Sequence, residues 1–258
     1  MKSRRKILIT NDDSINAEGI SILSDIMKNY GDVTVVAPKE PQSGKSAALS
    51  LGQKLHLELI SREEGVAKYT FTGTPVDCVK IGINECLNGE RPDLLVSGIN
   101  HGSNCSVAAL YSGTLGACIE GTIYGIPSIG FSINTHNPHP DFSGVIKYID
   151  KILENFLSNR PKDGVYLNVN FPDVPAEEIE GIKFARRGKG MWIKEFDIVD
   201  EPSGEKSFVM AGHFHDLEDD PELGDHKLVK RKYISIVPLQ IDNTDYHEMS
   251  RLSKEWDL

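Results

Sequence analysis

Two adjacent carboxylates, Asp12 and Asp13, lie where the chain could do chemistry. They follow residues 6–10, a short isoleucine-rich run typical of a strand buried on both faces, and apolar residues recur at helical spacing over residues 20–27. The acids therefore lie in a predicted strand-to-helix turn, where α/β sheets build their sites. One aspartate can cap a helix, but a second beside it favours a metal or phosphate site, because hard divalent cations bind clustered carboxylate oxygens.

Two further predicted strands end in polar loops. Residues 33–37 lead into a loop that contains Ser43, and residues 93–97 lead into a glycine-rich turn, residues 98–104, that contains Asn100. The carboxyl ends of parallel strands share one edge of a sheet. We therefore expect these side chains and the paired aspartates to converge, although they are far apart in sequence.

Small residues precede another predicted helix. Ser112, Gly113 and Thr114 come directly before residues 115–123, which are apolar at helical spacing. The free N–H groups of such a helix start can bind an anion. An ordinary cap on a core helix is the alternative.

The order of the elements predicts the fold class. Strand and helix alternate up to residues 165–171, which form a fifth core strand stopped by Pro172. This alternation predicts an α/β fold, a doubly wound sandwich with a mostly parallel sheet.

The chain changes character from residue 182 onward. Strand-like segments with charged residues, 182–187, 207–211 and 233–239, flank an acidic loop, and a last short helix begins near Thr244. These segments cannot bury themselves, so we expect a hairpin or arm that a second subunit covers. Trp192 and Trp256 are expected to be packing or interface residues rather than platforms for base stacking.

Composition limits the function classes. The 258 residues carry a net charge of -10, which argues against a nucleic-acid polymer as the partner, because such binding needs clustered cations. No apolar run approaches the ~20 residues needed to cross a bilayer. The first residues lead directly into a strand, so a cytoplasmic protein is expected, with no membrane partner. Four cysteines without C-x-x-C spacing predict neither a disulfide nor a zinc site.

Five motifs, in this order and spacing, resemble the SurE family, the stationary-phase survival proteins that are metal-dependent 5′-nucleotidases. They are Asn11-Asp12-Asp13, the loop of residues 37–43, residues 72–80, residues 97–102 and residues 111–116. The resemblance implies a Rossmann-like three-layer sandwich over residues 1–181. Residues 182–258 would form a β-hairpin and helix arm that mediates oligomerisation and completes the sheet.

The resemblance also implies an activity and its site. Nucleoside 5′-monophosphates would be hydrolysed by a metal-activated water, with 3′-monophosphates and short polyphosphate as further substrates. It implies one divalent cation per subunit, Mg or Mn, and a homodimer or homotetramer. The catalytic residues would be Asp12 and Asp13, the metal ligands would be Asp12, Asp13, Ser43 and Asn100, and the phosphate-binding residues would be Asn104, Ser112, Gly113 and Thr114.

The chain departs from the family pattern at two positions. Ser14 stands where the family usually has glycine, and Ser103 stands in a stretch usually formed by glycine, proline and asparagine. Ser14 would then need a left-handed backbone, which side chains other than glycine disfavour. Such a change would reshape the mouth of the site without removing a ligand.

Two other functions stay open at this point. A haloacid-dehalogenase-type phosphatase forms a phosphoaspartate, but its two acids are separated by one residue, whereas Asp12 and Asp13 are adjacent. A nucleotide- or metal-sensing module would bind without turnover. The sequence does not identify the general base.

Overall fold

A nine-stranded sheet organises the chain in the computed structural model, which describes residues 4–200, 204–219 and 224–257. Along the chain the strands are β1 (Arg5–Thr10), β2 (Gly31–Pro38), β3 (Leu57–Glu63), β4 (Val66–Phe71), β5 (Leu94–His101), β6 (Ser128–Asn134), β7 (Val165–Pro172), β8 (Gly181–Phe184), β9 (Gly190–Ile193), β10 (Phe196–Asp200), β11 (Lys206–Met210), β12 (His213–Asp216) and β13 (Tyr233–Gln240). The helices are α1 (Glu18–Met27), α2 (Pro75–Ile81), α3 (Gly113–Ile123), α4 (Ser143–Ser158), α5 (Asp225–Lys230) and α6 (Tyr246–Glu255).

The strand order in the sheet is β3-β4-β2-β1-β5-β6-β7-β13-β8. The six strands from β4 to β7 in this order run parallel, whereas β3 and β13 run antiparallel to their neighbours β4 and β7. The carboxyl ends of β1 and β5 are thus neighbours at one edge, with the first residues of α1 beyond β1. This is the arrangement that brings the predicted site residues together.

Helices cover both faces of the sheet. Alternate residues of β1 point to opposite sides: Ile7 and Ile9 pack with α1 and α4, whereas Leu8 packs with α2 and α3. Both faces are buried in the central strands such as β5 and β6, which explains why these strands are almost continuously apolar. The predicted three-layer α/β sandwich is confirmed.

The prediction that a turn begins at residue 98 is wrong, because the preceding strand is longer than predicted. β5 continues through His101, with an irregular register against β6 between Ser97 and Asn100. Gly98 allows the irregularity, because its φ is +126° and a Cβ there would lie 2.3 Å from the carbonyl oxygen of Phe131. Asn100 therefore lies in strand β5, one residue before its end, instead of in a loop.

The expectation that the strand-like segments after residue 182 cannot bury themselves is wrong for β13. This strand lies inside the main sheet between β7 and β8, and Ile234 and Ile236 are buried in the core. Its alternating apolar residues are typical of a strand inside a sheet, where neighbouring elements bury the side chains. The two remaining pairs, β9 with β12 and β10 with β11, are separate two-stranded antiparallel sheets.

Helix α6 has no buried residue. Among the helices of the described residues, none combines the length and the apolar composition that crossing a membrane requires.

Candidate active site

A cavity of about 220 Å³ lies at the carboxyl ends of the parallel strands. Its lining includes Asp12, Ser43, Asn100, Asn104 and Ser112. These residues come from four separate parts of the chain, so the predicted convergence at one edge of the sheet is confirmed. The other predicted site residues contact this set directly, as described below.

Asp12 is the most deeply buried acid of the site, with 3% of its surface exposed. Its Oδ1 accepts a hydrogen bond from Thr114 Oγ1 at 2.6 Å. Burial, followed by the negative charge of Asp13, raises the pKa of Asp12 to about 7, and hydrogen bonds from the Thr114 side chain and backbone oppose this rise. The fold thus holds a carboxylate where its charge is poorly solvated.

Asp13 lies beside it and is half-buried. Its Oδ2 accepts a hydrogen bond from the His101 backbone N–H at 2.8 Å, which ties the β1 turn to the end of β5. Burial raises the pKa of Asp13, and the hydrogen bond from His101 lowers it in part.

The left-handed backbone predicted at Ser14 is confirmed. Its φ is +94°, and its carbonyl oxygen accepts a hydrogen bond from Asn11 Nδ2 at 2.8 Å. The strand therefore turns sharply after the two acids, in a conformation that glycine adopts more easily than serine.

The loop that contains Ser43 is attached to the acids on one side and to the start of α3 on the other. Gln42 donates its backbone N–H to the Asp12 carbonyl at 2.7 Å. Ser46 donates its N–H to the Tyr111 carbonyl at 3.0 Å. Ser43 itself is exposed and lies on the cavity wall.

Asn100 is buried, and its amide nitrogen donates to the Gly102 carbonyl at 2.9 Å. The side-chain oxygen is therefore the atom that Asn100 has available as a ligand. Its position in the strand fixes that atom more rigidly than the predicted loop would.

Asn104 belongs to a closed network of buried polar side chains. Its backbone N–H donates to Asn170 Oδ1 at 2.9 Å, its Nδ2 donates to Ser132 Oγ at 2.8 Å, and its carbonyl accepts from Asn168 Nδ2 at 2.8 Å. Asn170 in turn donates to Asn168 at 3.0 Å. Satisfied buried networks of this kind are rigid, so Asn104 has a fixed position on the cavity wall.

The start of α3 packs against Asp12. Ser112 caps the helix, because its Oγ accepts the Leu115 N–H at 3.1 Å, and it also lines the cavity. A Cβ on Gly113 would lie 2.9 Å from the Cβ of Asp12, so only glycine allows this approach. Thr114 is fully buried with its hydroxyl on Asp12. Gly113 and Thr114 thus contact a carboxylate.

Comparisons with known proteins show which family the chain belongs to. The model of the family described as "Survival protein SurE" matches residues 7–194. The chain belongs to the SurE family. Curated relatives named "5′-nucleotidase SurE" include one from Flavobacterium psychrophilum, 44% identical over 99% of both chains, and one from Cytophaga hutchinsonii, 42% identical over 98% of both chains. The crystal structure of the SurE protein from Aquifex aeolicus has a TM-score of 0.83 and 33% identity, covering 97% of this chain and 99% of that one.

The donors of this SurE site fit a hard divalent cation. Two carboxylates, Asp12 and Asp13, lie side by side, and Ser43 and Asn100 add neutral oxygens. Among the described residues there is no group of three or more histidine, cysteine or acidic side chains that could hold a metal. Burial and then the charge of Asp13 raise the pKa of Asp12, and a bound cation would act in the opposite direction by favouring the carboxylate form.

Sequence reasoning missed several residues of the SurE site. Asn168 and Asn170 alternate on a buried strand, and two asparagines at period two in an apolar run are a signal that could have been used. Trp192 packs against Phe214, as expected of a packing residue, but it also lines the cavity. Nothing in its local sequence indicates this.

Proposed function

We propose that this chain hydrolyses nucleoside 5′-monophosphates to nucleoside and phosphate, using one divalent cation per subunit, Mg or Mn. The observation that carries the proposal is one cavity lined by the buried carboxylate of Asp12, the side chains of Ser43 and Asn100 and the capped start of α3, with Asp13 next to Asp12. Curated relatives of similar length named 5′-nucleotidase support the substrate class.

In this proposal Asp12, Asp13, Ser43 and Asn100 hold the cation through their oxygens. When bound, the cation neutralises charge on the phosphoryl group and activates the attacking water. Thr114 fixes one oxygen of Asp12, because it donates to Oδ1 at 2.6 Å, and so leaves the other oxygen for binding.

Phosphate contacts are assigned to the residues that line the same cavity. Ser112 and Asn104 lie on its wall, and the first N–H groups of α3, beginning at Gly113, lie at the positive end of the helix dipole. These groups hold the phosphate in place while its charge grows during attack. Thr114 acts in this scheme by positioning Asp12.

The finer substrate range and the assembly belong to the same proposal. Nucleoside 3′-monophosphates and short polyphosphate present the same terminal phosphate and are proposed as further substrates. A homodimer or homotetramer through the C-terminal arm is supported by apolar side chains on β10 and β11, since Ile198, Phe208 and Met210 are 60%, 61% and 75% exposed.

The test is phosphate release from AMP by the full chain after chelation and after addition of Mg, Mn or Co. We expect no activity in the chelated protein, recovery with metal, and a loss of activity of about 10²- to 10³-fold in Asp12→Asn, comparable to removal of a key electrostatic group. Asp163→Asn, an exposed acid at the other edge of the sheet, is the matched control and should keep wild-type activity.

Three results would contradict the proposal. Full activity after exhaustive chelation would exclude the role of the cation. Binding of AMP without turnover at any metal would indicate a sensing module instead. A trapped phosphoaspartate would indicate a covalent mechanism of the haloacid-dehalogenase type.

A further inference from the structure

A second, larger cavity adjoins the proposed phosphate site and has no role in the account above. Its volume is about 780 Å³, within the ~300–1,000 Å³ typical of small-molecule sites. Ser103, Ala108 and Trp192 line both cavities. A ligand with its phosphate in the first cavity can therefore extend past these residues into the second.

Two aromatic rings form a corner of this second cavity. Trp192 on β9 and Phe214 on β12 are directly opposite each other in the antiparallel pair. Their ring centroids are 6.4 Å apart and the ring planes meet at 74°, an edge-to-face contact. A flat ligand lying on one ring would thus direct its edge toward the other.

One glycine and a further ring pack against Phe214. A Cβ on Gly190 would lie 2.2 Å from the Phe214 ring, so the ring lies directly over the glycine backbone. On its other side the imidazole of His226 lies 5.3 Å away, centroid to centroid. The corner is therefore rigid before a ligand arrives, which lowers the entropic cost of binding.

One buried carboxylate ties this corner to the loop beside the phosphate site. Asp225 accepts the backbone N–H of Gly188, two residues before β9, and the N–H of Ser106, both at 3.0 Å. The strand that carries Trp192 and the loop that carries Asn104 are thus anchored on the same side chain, and the two cavities keep a fixed relation.

We propose that the second cavity is the nucleoside subsite, in which the base stacks on Trp192, and this inference rests on the proposed nucleotidase function. Stacking on an indole accepts any base, and its strength grows with the overlapping area. Purine nucleotides are therefore preferred to pyrimidine nucleotides. Trp192 lines both cavities, and in this proposal its role is to bind the base rather than the phosphate.

The first experiment compares kcat and KM for AMP, CMP and ribose 5-phosphate, which has no base, in the wild type and in Trp192→Ala. In the variant, KM for AMP rises about tenfold, which matches the loss of one stacking contact, and the preference for AMP over CMP falls toward one. The kcat/KM for ribose 5-phosphate changes less than about twofold, since it makes no stacking contact. Trp192→Phe keeps part of the preference.

The second experiment measures binding without turnover. The chain has two tryptophans, so Trp256→Phe leaves Trp192 as the single indole. Trp256 is exposed and lines neither cavity, so this variant is also the control for activity. In the chelated protein, AMP quenches the remaining fluorescence in a saturable way and ribose 5-phosphate does not.

Several outcomes would overturn the subsite. Equal losses for AMP and ribose 5-phosphate in Trp192→Ala would mean that the residue only stabilises the fold. Equal kcat/KM for AMP and ribose 5-phosphate in the wild type would mean that the protein does not contact the base. Fluorescence quenching by neither compound would mean the same. Neither result would contradict the nucleotidase function. No phosphate release from any substrate, with AMP-specific quenching retained, would refute the proposed function but not the nucleoside cavity.

Discussion

The two sides of the candidate site are built in different ways. The side of the acids stands on the ends of β1 and β5, strands that are buried on both faces within the parallel sheet. The aromatic side stands on β9 and β12, a short antiparallel pair outside that sheet. In the proposed function, the sheet positions the residues that would bind the cation, and the β9–β12 pair shapes the space for the rest of the ligand.

Two buried carboxylates, Asp12 and Asp225, show the same difference. Asp225 is fully buried and accepts backbone N–H groups from Ser106, Gly188 and His226 at 2.8 to 3.1 Å. Asp12 is nearly as buried, but burial and its neighbour Asp13 raise its pKa to about 7. One carboxylate connects segments of the fold, whereas the surroundings of the other disfavour its ionised form, which a bound cation would favour.

The largest effect is expected from Asp225→Asn. Asparagine keeps one acceptor oxygen but places an NH₂ group against a backbone N–H and removes the charge, so we expect a loss of about 2–3 kcal/mol in the free energy of unfolding. For a chain of this size that corresponds to a fall in Tm of about 5–10 °C in thermal unfolding.

The control is Asp150→Asn, an exposed acid that accepts a hydrogen bond from Tyr30 at 2.7 Å. It should change stability by less than about 0.5 kcal/mol. An equal Tm in the two variants would contradict the role of Asp225 as the anchor of the aromatic side. The metal concentration for half-maximal activity should stay at the wild-type value in both.

A smaller effect is expected on the acid side from Thr114→Val. Valine has a similar shape but cannot donate to Asp12, so the carboxylate loses the contact that orients it. We expect a 10- to 100-fold loss of activity, about the size seen when residues that hydrogen-bond to metal ligands are removed. We also expect a higher metal concentration for half-maximal activity. Metal titrations of AMP hydrolysis measure both.

Two variants sharpen this result. Thr114→Ser restores the donor and should recover most of the activity and metal affinity. Thr122→Val makes the same change on the same helix, where the hydroxyl donates only to the Cys118 carbonyl, and should keep the wild-type metal dependence. If Thr114→Val and Thr122→Val behaved alike, the Asp12 contact would have no functional role.

The acid side could largely be predicted from sequence, because its signals are local. A buried strand that stops at two acids, and a small-residue cap before an apolar helix, each indicate where a strand or helix ends. Parallel topology then forces these ends to one edge, which is why Asn100 was expected beside Asp12. Its exact place, inside β5, depended on the close approach of Gly98 to Phe131.

The aromatic side could not be predicted, because its contacts are long-range. Trp192 meets Phe214 only through the pairing of β9 with β12, and the segment before β9 is held by Asp225, on a helix outside the main sheet. The burial of β13 was missed for a related reason, since a single strand does not show which neighbours will cover it. Neither the pairing of β9 with β12 nor the position of β13 in the sheet produces a periodic pattern in the sequence.

The smallest effect is expected at the turn after the acids, from Ser14→Gly. A side chain at φ +94° costs roughly 1–2 kcal/mol, and glycine loses about 0.5–1 kcal/mol more backbone entropy on folding, so the net gain is about 0.5–1 kcal/mol. Thermal unfolding should show a Tm higher by about 2 °C. Ser14→Ala keeps the Cβ and should show no gain, which separates backbone strain from loss of the hydroxyl. Equal Tm shifts in the two variants would mean that the strain is not in the backbone, and the turn that presents Asp12 and Asp13 would then be as relaxed with serine as with glycine.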